Sequence, residues 1–400
     1  MPAPPAADSE RSTATPKPGR PKRVALFTGA YNHIADGVSL TLNRLVRHLE
    51  TEENVEVLVF APTVDDPPVD HAGTLVPVPS ISAPGRSEYR LSLGITPSVR
   101  RQLENFSPDL FHVATPDILG YHALRTARAW GVPVVATYHT HFASYLRYYH
   151  LSWLEPLLWA YLRHFHRQCV HTYVPSTAMA EILRDHGITD GLHLWQRGVE
   201  LDRFTPERRS DAWRREHGLG GAPVVAYVSR LVWEKAPDVF ADVVRGLEAD
   251  GVPHHSLIVG DGPARADLED QLPNTVFTGY LEGTELATAY ASADVFLFPS
   301  DTETFGNVTL EAMASGLPAV CARAVGSRDL VVDGETGYLC PTDDVDAFTQ
   351  AVRHLLTDED ARSEMSTAAV KRANTFRWEA ILSKMDGLYE EALDDWGRED

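Results

Sequence analysis

The sequence is poor in three things that would each point to a class of function. Cysteine occurs only three times, at Cys169, Cys321 and Cys340, too few and too scattered for a disulfide framework or a cysteine zinc site. Positive charge is scarce: 36 Lys and Arg against 56 Asp and Glu leave a formal net charge of -20. Nucleic acid and anionic lipid both need a positive footprint, so no nucleic-acid partner is expected. No apolar run approaches the ~18 residues of a membrane span. The opening 22 residues, MPAPPAADSERSTATPKPGRPK, lack the apolar centre of a signal peptide. Residues 1–22 therefore read as a disordered tail, and the protein as cytoplasmic.

A fourth absence concerns dinucleotides. Neither half carries G-x-G-x-x-G after its first strand with an acidic residue about 20 positions on, which argues against an NAD-dependent oxidoreductase.

What is present is an ordinary globular composition, 44% hydrophobic and 23% charged over 400 residues, enough for two domains with separate cores. From Arg23 short apolar runs (RVALFTGA, VEVLVFAP, LFHVAT, VPVVATYHT, HTYVPS) alternate with helical stretches such as SLTLNRLVRHLE. The pattern breaks in the polar ELDRFTPERRSDAWRREHGLGG and restarts with PVVAYVSR, HSLIVGDG, TVFTGY, DVFLFPS and PAVCA. It closes on FRWEAILSKMDGLYEEALDD, where Trp378, Ile381, Leu382 and Leu388 can share a helix face. This order predicts an α/β protein of two doubly wound Rossmann-like domains, residues 23–200 and 221–375, joined by a linker at 201–220 and facing a central cleft. Residues 376–400 are expected to form a helix that packs back on the first domain.

The chemistry concentrates in SDTETFGNVTLEAMASGLP, residues 300–318. Strand, loop and helix in that order put Glu303 at a strand's carboxyl end, where such sheets bind ligands, and Glu311 in the helix that follows. Gly306 allows close backbone approach, and the amides near Asn307 and Val308 suit an anion such as a diphosphate. Spacing alone leaves Glu311 open between a ligand contact and a solvated helix residue. Upstream, SRLVWEK places Arg230 and Lys235 in another strand-to-helix loop, two cations that can grip a diphosphate or simply face solvent. The turn VGDGP, with Gly260, resembles many ordinary loops. His139 ends a strand in ATYHTHF, and His141, two residues on, points the same way; no further ligands support a metal pair. The acidic turn at residues 343–346, DDVD, reads as solvated. The aromatic stretch HFASYLRYYHLSWLEPLLWAYLRHFHR, with Arg147, Arg163 and Arg167, fits either core packing or a surface for lipid.

In order along the chain, SRLVWEK, VGDGP, GYLEG, ADVFLFPSDTETFGNVTLEAMASGLPAV and DGETGYL resemble the nucleotide-sugar domain of the retaining glycosyltransferases with the GT-B fold and the E-x7-E motif. That family includes phosphatidylinositol mannosyltransferases and sulfoquinovosyl transferases, and the likeness covers nearly all of the chain beyond the tail. LWQRGVELDRF resembles the RGVD signature of the glycolipid branch, with Glu200 where aspartate is usual.

The resemblance implies roles. Arg230 and Lys235 would bind the donor diphosphate, Glu303 would lie near the transferred sugar and Glu311 would hold the ribose. Phe305, Gly306, Asn307 and Val308 would face sugar and phosphate, with the base near Gly260 and the turns around it. The glycine loop TGAYNHIADGVSLTL would bring Gly37 close to the phosphates, and His139 would stand beside the reacting sugar. The implied reaction is retaining transfer of a hexosyl unit, mannosyl favoured, from a GDP-sugar or UDP-sugar to a lipid or glycan hydroxyl. No essential metal and no further cofactor is expected, and a peripheral membrane contact is implied. A UDP-sugar transferase and a non-catalytic sugar-nucleotide binder are the other readings.

Overall fold

In the computed structural model, which describes residues 20–34, 36–83, 86–139, 146 and 152–399, the central strands are continuous buried runs rather than alternating. Every residue of Val224–Val228 and of Val295–Phe298 is buried, as parallel strands covered on both faces require.

The first sheet has seven strands, in spatial order Thr74–Pro77, Val55–Ala61, Lys22–Phe27, Leu110–Val113, Val134–Thr137, His171–Val174 and Leu192–Leu194. The second has six: Val276–Gly279, His255–Val259, Val224–Val228, Val295–Phe298, Ala319–Ala322 and Gly337–Cys340. All pairings within both sheets are parallel, with Val24 opposite Val57 on one side and Leu110 on the other. In each sheet the strand order reverses beside the domain's first strand, and ligands of open α/β sheets bind outside the carboxyl ends at such a switch point. In the second sheet the switch lies between Val224–Val228 and Val295–Phe298, the strands that carry the Lys235 and Glu303 loops.

The closing helix, Trp378–Glu399, packs on the first domain. Ile381, Leu382, Met385, Tyr389 and Ala392 join a core with Val24, Leu42 and Val57, each large apolar side chain contributing about 2 kcal/mol relative to exposure. Lys22 pairs with Asp386 of this helix, and Arg20 pairs with Asp109. Part of the segment read as tail thus belongs to the fold, with Lys22 opening the first strand, because both cations meet carboxylates on neighbouring elements.

The polar stretch read as a linker is built into the second domain. Arg214 is buried, its guanidinium meeting Asp294 Oδ2 at 2.9 Å and the carbonyls of Leu219, Ser292 and Ala222, while Phe204 and Leu219 enter the core. Five strands escaped the sequence reading: the edge strands Thr74–Pro77, Leu192–Leu194 and Gly337–Cys340, and the antiparallel pair Ser80–Ala83 with Arg86–Ser92. Most are too short to give a pattern that distinguishes a strand from a loop, and the longest of them, RSEYRLS, is largely polar.

Candidate active site

Two loops at the switch point of the second sheet are tied together. Lys235 ends the 3-10 turn Trp233–Lys235, and its ammonium donates to Glu303 Oε1 at 2.7 Å and to Thr302 Oγ1 at 2.9 Å. Thr302 in turn donates to the Glu234 carbonyl at 3.1 Å. The Lys235 side chain is buried while that of Glu303 is more open, so the cation is fixed from behind and the carboxylate fronts the cleft. Ala236 holds a left-handed φ of 51°, a conformation that costs a non-glycine residue about 1 kcal/mol and places Lys235 before the next helix. The Tyr227 hydroxyl, bonded to the Lys235 carbonyl at 3.1 Å, braces the turn.

Beyond Glu303 the helix Asn307–Ala314 begins at Gly306, whose φ is 92° and which offers no capping side chain. Its first amides are therefore open to an outside acceptor. The start of Gly37–Glu52 differs: the Asp36 carboxylate already accepts from Val38 and Ser39. The two helix starts come together at Gly37. A Cβ there would lie 2.6 Å from Arg197 Nη1 and 3.3 Å from Asn307 Nδ2, so the close approach depends on glycine.

Glu311 is not a solvated helix residue. It is half-buried, its Oε2 accepts from the Tyr290 hydroxyl at 3.3 Å, and burial pushes its carboxyl up to about 7, against the pull of Tyr290, Arg203 and Arg44. Glu303 and Glu311 thus have separate partners.

The first domain brings His139. It is buried, its carbonyl accepts from Thr304 Oγ1 at 3.2 Å, and its Nε2 has no partner among the described residues. Burial, with the charges of Arg197 and His112 adding to it, holds its pKa well below the ordinary histidine value, so the ring is neutral. Further contacts cross between the domains here, Ser176 Oγ to the Thr304 carbonyl at 3.3 Å and Thr177 Oγ1 to Asp329 Oδ1 at 2.5 Å.

Other expected site residues fall elsewhere. Phe305 is a correction: its side chain is 2% exposed and packs edge-on against Phe376 in the second core, so only its backbone can face a ligand. Val308 leans on the same core. Arg230 is more than half exposed and lies 3.7 Å from Glu234. Gly260 has a packing duty: at φ 132° a Cβ would meet the Ser229 carbonyl at 1.9 Å, where Leu231 N donates to the Asp261 carbonyl at 2.9 Å and braces the Arg230 loop.

Arg163 and Arg167 bond the carbonyls of His186 and Gly187, while Trp159, Leu162 and Phe165 are buried. Core packing therefore claims that face; His141 and Arg147 lie outside the described residues. Asp344, in the acidic turn, caps the helix Val345–Thr357. No group of three or more His, Cys, Asp or Glu suited to a metal ion occurs among the described residues.

The sequence reading quoted LWQRGVELDRF but gave its Trp195 and Arg197 no role in the site. Both are buried beside the cleft, with the His139 and Trp195 rings 5.9 Å apart. The available signal was the likeness of that stretch to RGVD.

The family description Glycosyltransferase Family 4 matches residues 35–203 and Glycosyl transferases group 1 matches residues 222–358. A GDP-mannose-dependent alpha-mannosyltransferase of Mycobacterium tuberculosis (strain CDC 1551 / Oshkosh) is 38% identical over 92% of this chain and 96% of its own. The sulfoquinovosyl transferase SQD2 of Arabidopsis thaliana is 34% identical over 92% of this chain and 73% of its own. Among solved structures, sucrose-phosphate synthase from Thermosynechococcus elongatus shares the fold, with a TM-score of 0.75 over 92% of this chain and 98% of that one at 20% identity. With two Rossmann-like sheets, an open helix start at the switch point and relatives of this identity along nearly its whole length, the chain belongs to the GT-B glycosyltransferases, enzymes that transfer a hexosyl unit from a nucleotide sugar.

Proposed function

We propose that this enzyme transfers mannose from GDP-mannose, with retention of configuration, to a hydroxyl of a glycolipid. The donor and transfer are supported by the mannosyltransferase relative, 38% identical over 92% of the chain. The observation that carries the site is the Lys235–Glu303 pair beside the uncapped start of Asn307–Ala314.

In this reading the helix amides, Lys235 and Arg230 receive the diphosphate and stabilise the charge that develops as it leaves, without reorganising during the reaction. Glu311 accepts from the ribose hydroxyls. Glu303 and neutral His139 line the sugar. Attack comes from the same face as departure, with the leaving phosphate taking the acceptor proton. A double displacement would need a free carboxylate under the anomeric carbon. Of the nearby carboxylates, Asp36 is spent on two backbone amides and Glu303 on Lys235.

The lipid acceptor, with a peripheral position at the inner face of the membrane, is supported by apolar side chains facing outward on the first domain. Trp153 is 74% exposed and Leu157 68%. Ile118 is also exposed, two residues after Pro116, whose carbonyl accepts from the Tyr161 hydroxyl of the Leu157 helix. No helix among the described residues is long and apolar enough to cross a membrane.

The sulfoquinovosyl relative favours a second reading, a UDP-sugar donor. A panel of GDP- and UDP-sugars, scored by nucleotide release with and without lipid extract, tests both. Selective GDP-mannose turnover stimulated by lipid is expected; turnover of UDP-sugars alone supports the second reading, and no turnover or binding of any donor sinks both.

A further inference from the structure

Among the described residues, four buried side-chain atoms around the cleft have no hydrogen-bond partner: Arg197 Nε, Trp195 Nε1, His139 Nε2 and Asn307 Oδ1. Native proteins pair roughly 90% or more of such atoms, so several orphans in one region, drawn from both domains, ask for an explanation. Arg197 is the most costly. It is 8% exposed, and among the described residues its guanidinium makes no hydrogen bond and no ion pair. Glu303 and Asp36 act on it only at longer range, and both are engaged elsewhere. A buried, uncompensated cation is strongly unfavourable unless something arrives to pair with it.

We infer that Arg197, assisted by the indole N–H of Trp195, is an oxyanion-binding site on the first-domain wall of the cleft, opposite the open start of Asn307–Ala314. Both residues lie by His139, whose ring is 5.9 Å from that of Trp195 and feels the charge of Arg197. Arg197 Nη1 reaches the Cβ-free face of Gly37, where Asn307 also arrives. An oxyanion there would meet a planar fork of N–H donors from one domain and unpaired helix amides from the other. Its binding would thereby favour the closed arrangement of the two domains. The oxyanion belongs to a substrate, either the donor diphosphate or an acidic group on the acceptor. The inference rests on the glycosyl-transfer reading of the cleft, and it gives a role to the arginine of LWQRGVELDRF, a stretch that lies outside the nucleotide-sugar motifs of the second domain.

The test compares wild type with Arg197→Met and Arg197→Lys. Melting temperature is measured without ligand and with inorganic pyrophosphate, GDP or guanosine. Turnover is measured on a neutral and an acidic glycolipid. Arg197→Met is expected to melt at or above the wild-type temperature without ligand, since it removes an unpaired buried charge. It is expected to lose about tenfold or more in affinity for the oxyanion, with Arg197→Lys recovering part.

A lost response to pyrophosphate and GDP, with guanosine unaffected, assigns the donor diphosphate. Intact nucleotide responses with KM raised only for the acidic glycolipid assign the acceptor. The inference is overturned if Arg197→Met changes neither, or if it collapses the ligand-free protein and Arg197→Lys restores the fold with ligand responses like wild type. Wild type that turns over no nucleotide sugar on either lipid overturns the glycosyl-transfer reading instead, and the pyrophosphate responses still decide whether Arg197 binds an oxyanion.

Discussion

Lys235 Nζ stands 2.7 Å from Glu303 Oε1, and this contact joins the two loops that flank the switch point of the second sheet. Each residue keeps the other in place before a donor enters. Lys235→Ala leaves Glu303 without its cation and, in the proposed donor pose, removes charge from the leaving-group side, while Glu303→Gln removes the carboxylate proposed to line the sugar. Each is expected to reduce kcat by about 100-fold or more with circular dichroism unchanged; full activity in both would remove the pair from the site.

Glu311 supplies a pH dependence. Its folded carboxyl titrates near 7, above the ordinary value of 4.5, so the fold favours its protonated form. The stability this gives is fully present below the ordinary value and is lost as pH rises through about 7. Glu311→Gln should therefore raise the melting temperature at pH ~8 and change it little at pH ~5. In the proposed donor pose ribose hydroxyls would donate to the ionised carboxylate, so GDP should bind more tightly as pH rises from about 6 to about 8 and should displace a proton. Calorimetry in buffers of different ionisation heat reads that proton directly.

Gly37 and Gly306 separate cleft crowding from backbone strain. Gly37→Ala puts a methyl against the flexible end of Arg197, so kcat/KM should fall about tenfold or more with little change in melting temperature. Gly306→Ala forces a side chain onto a φ of 92° and 3.0 Å from the Gly326 carbonyl. It should cost about 1–2 kcal/mol in urea denaturation and weaken donor binding as well.

The outward apolar face is tested by Trp153→Ser with Leu157→Ser. The double variant should lose co-sedimentation with phospholipid vesicles and keep GDP affinity, with a stability change within about 0.5 kcal/mol per site, as exposed positions allow. Unchanged vesicle binding would detach this face from the membrane.

The sequence by itself determined the two βα series and the residues that close each strand: DVFLFPS followed by a glycine-interrupted loop already put Glu303 at a carboxyl end, because apolar runs and breakers are local signals. It also carried the helix return of Trp378–Glu399, through the spacing of Ile381 and Leu382. Which strand lies beside which was not local. Only the sheet order placed the Lys235 and Glu303 loops side by side and sent Phe305 into the core, since burial depends on neighbours distant in the chain. Arg197 shows the limit most clearly. In sequence it stands in the RGVD-like stretch LWQRGVELDRF, which says nothing of its surroundings; its meaning arises only when two domains fold around it and leave it without a partner among the described residues, because the cost of a charge is set by what surrounds it.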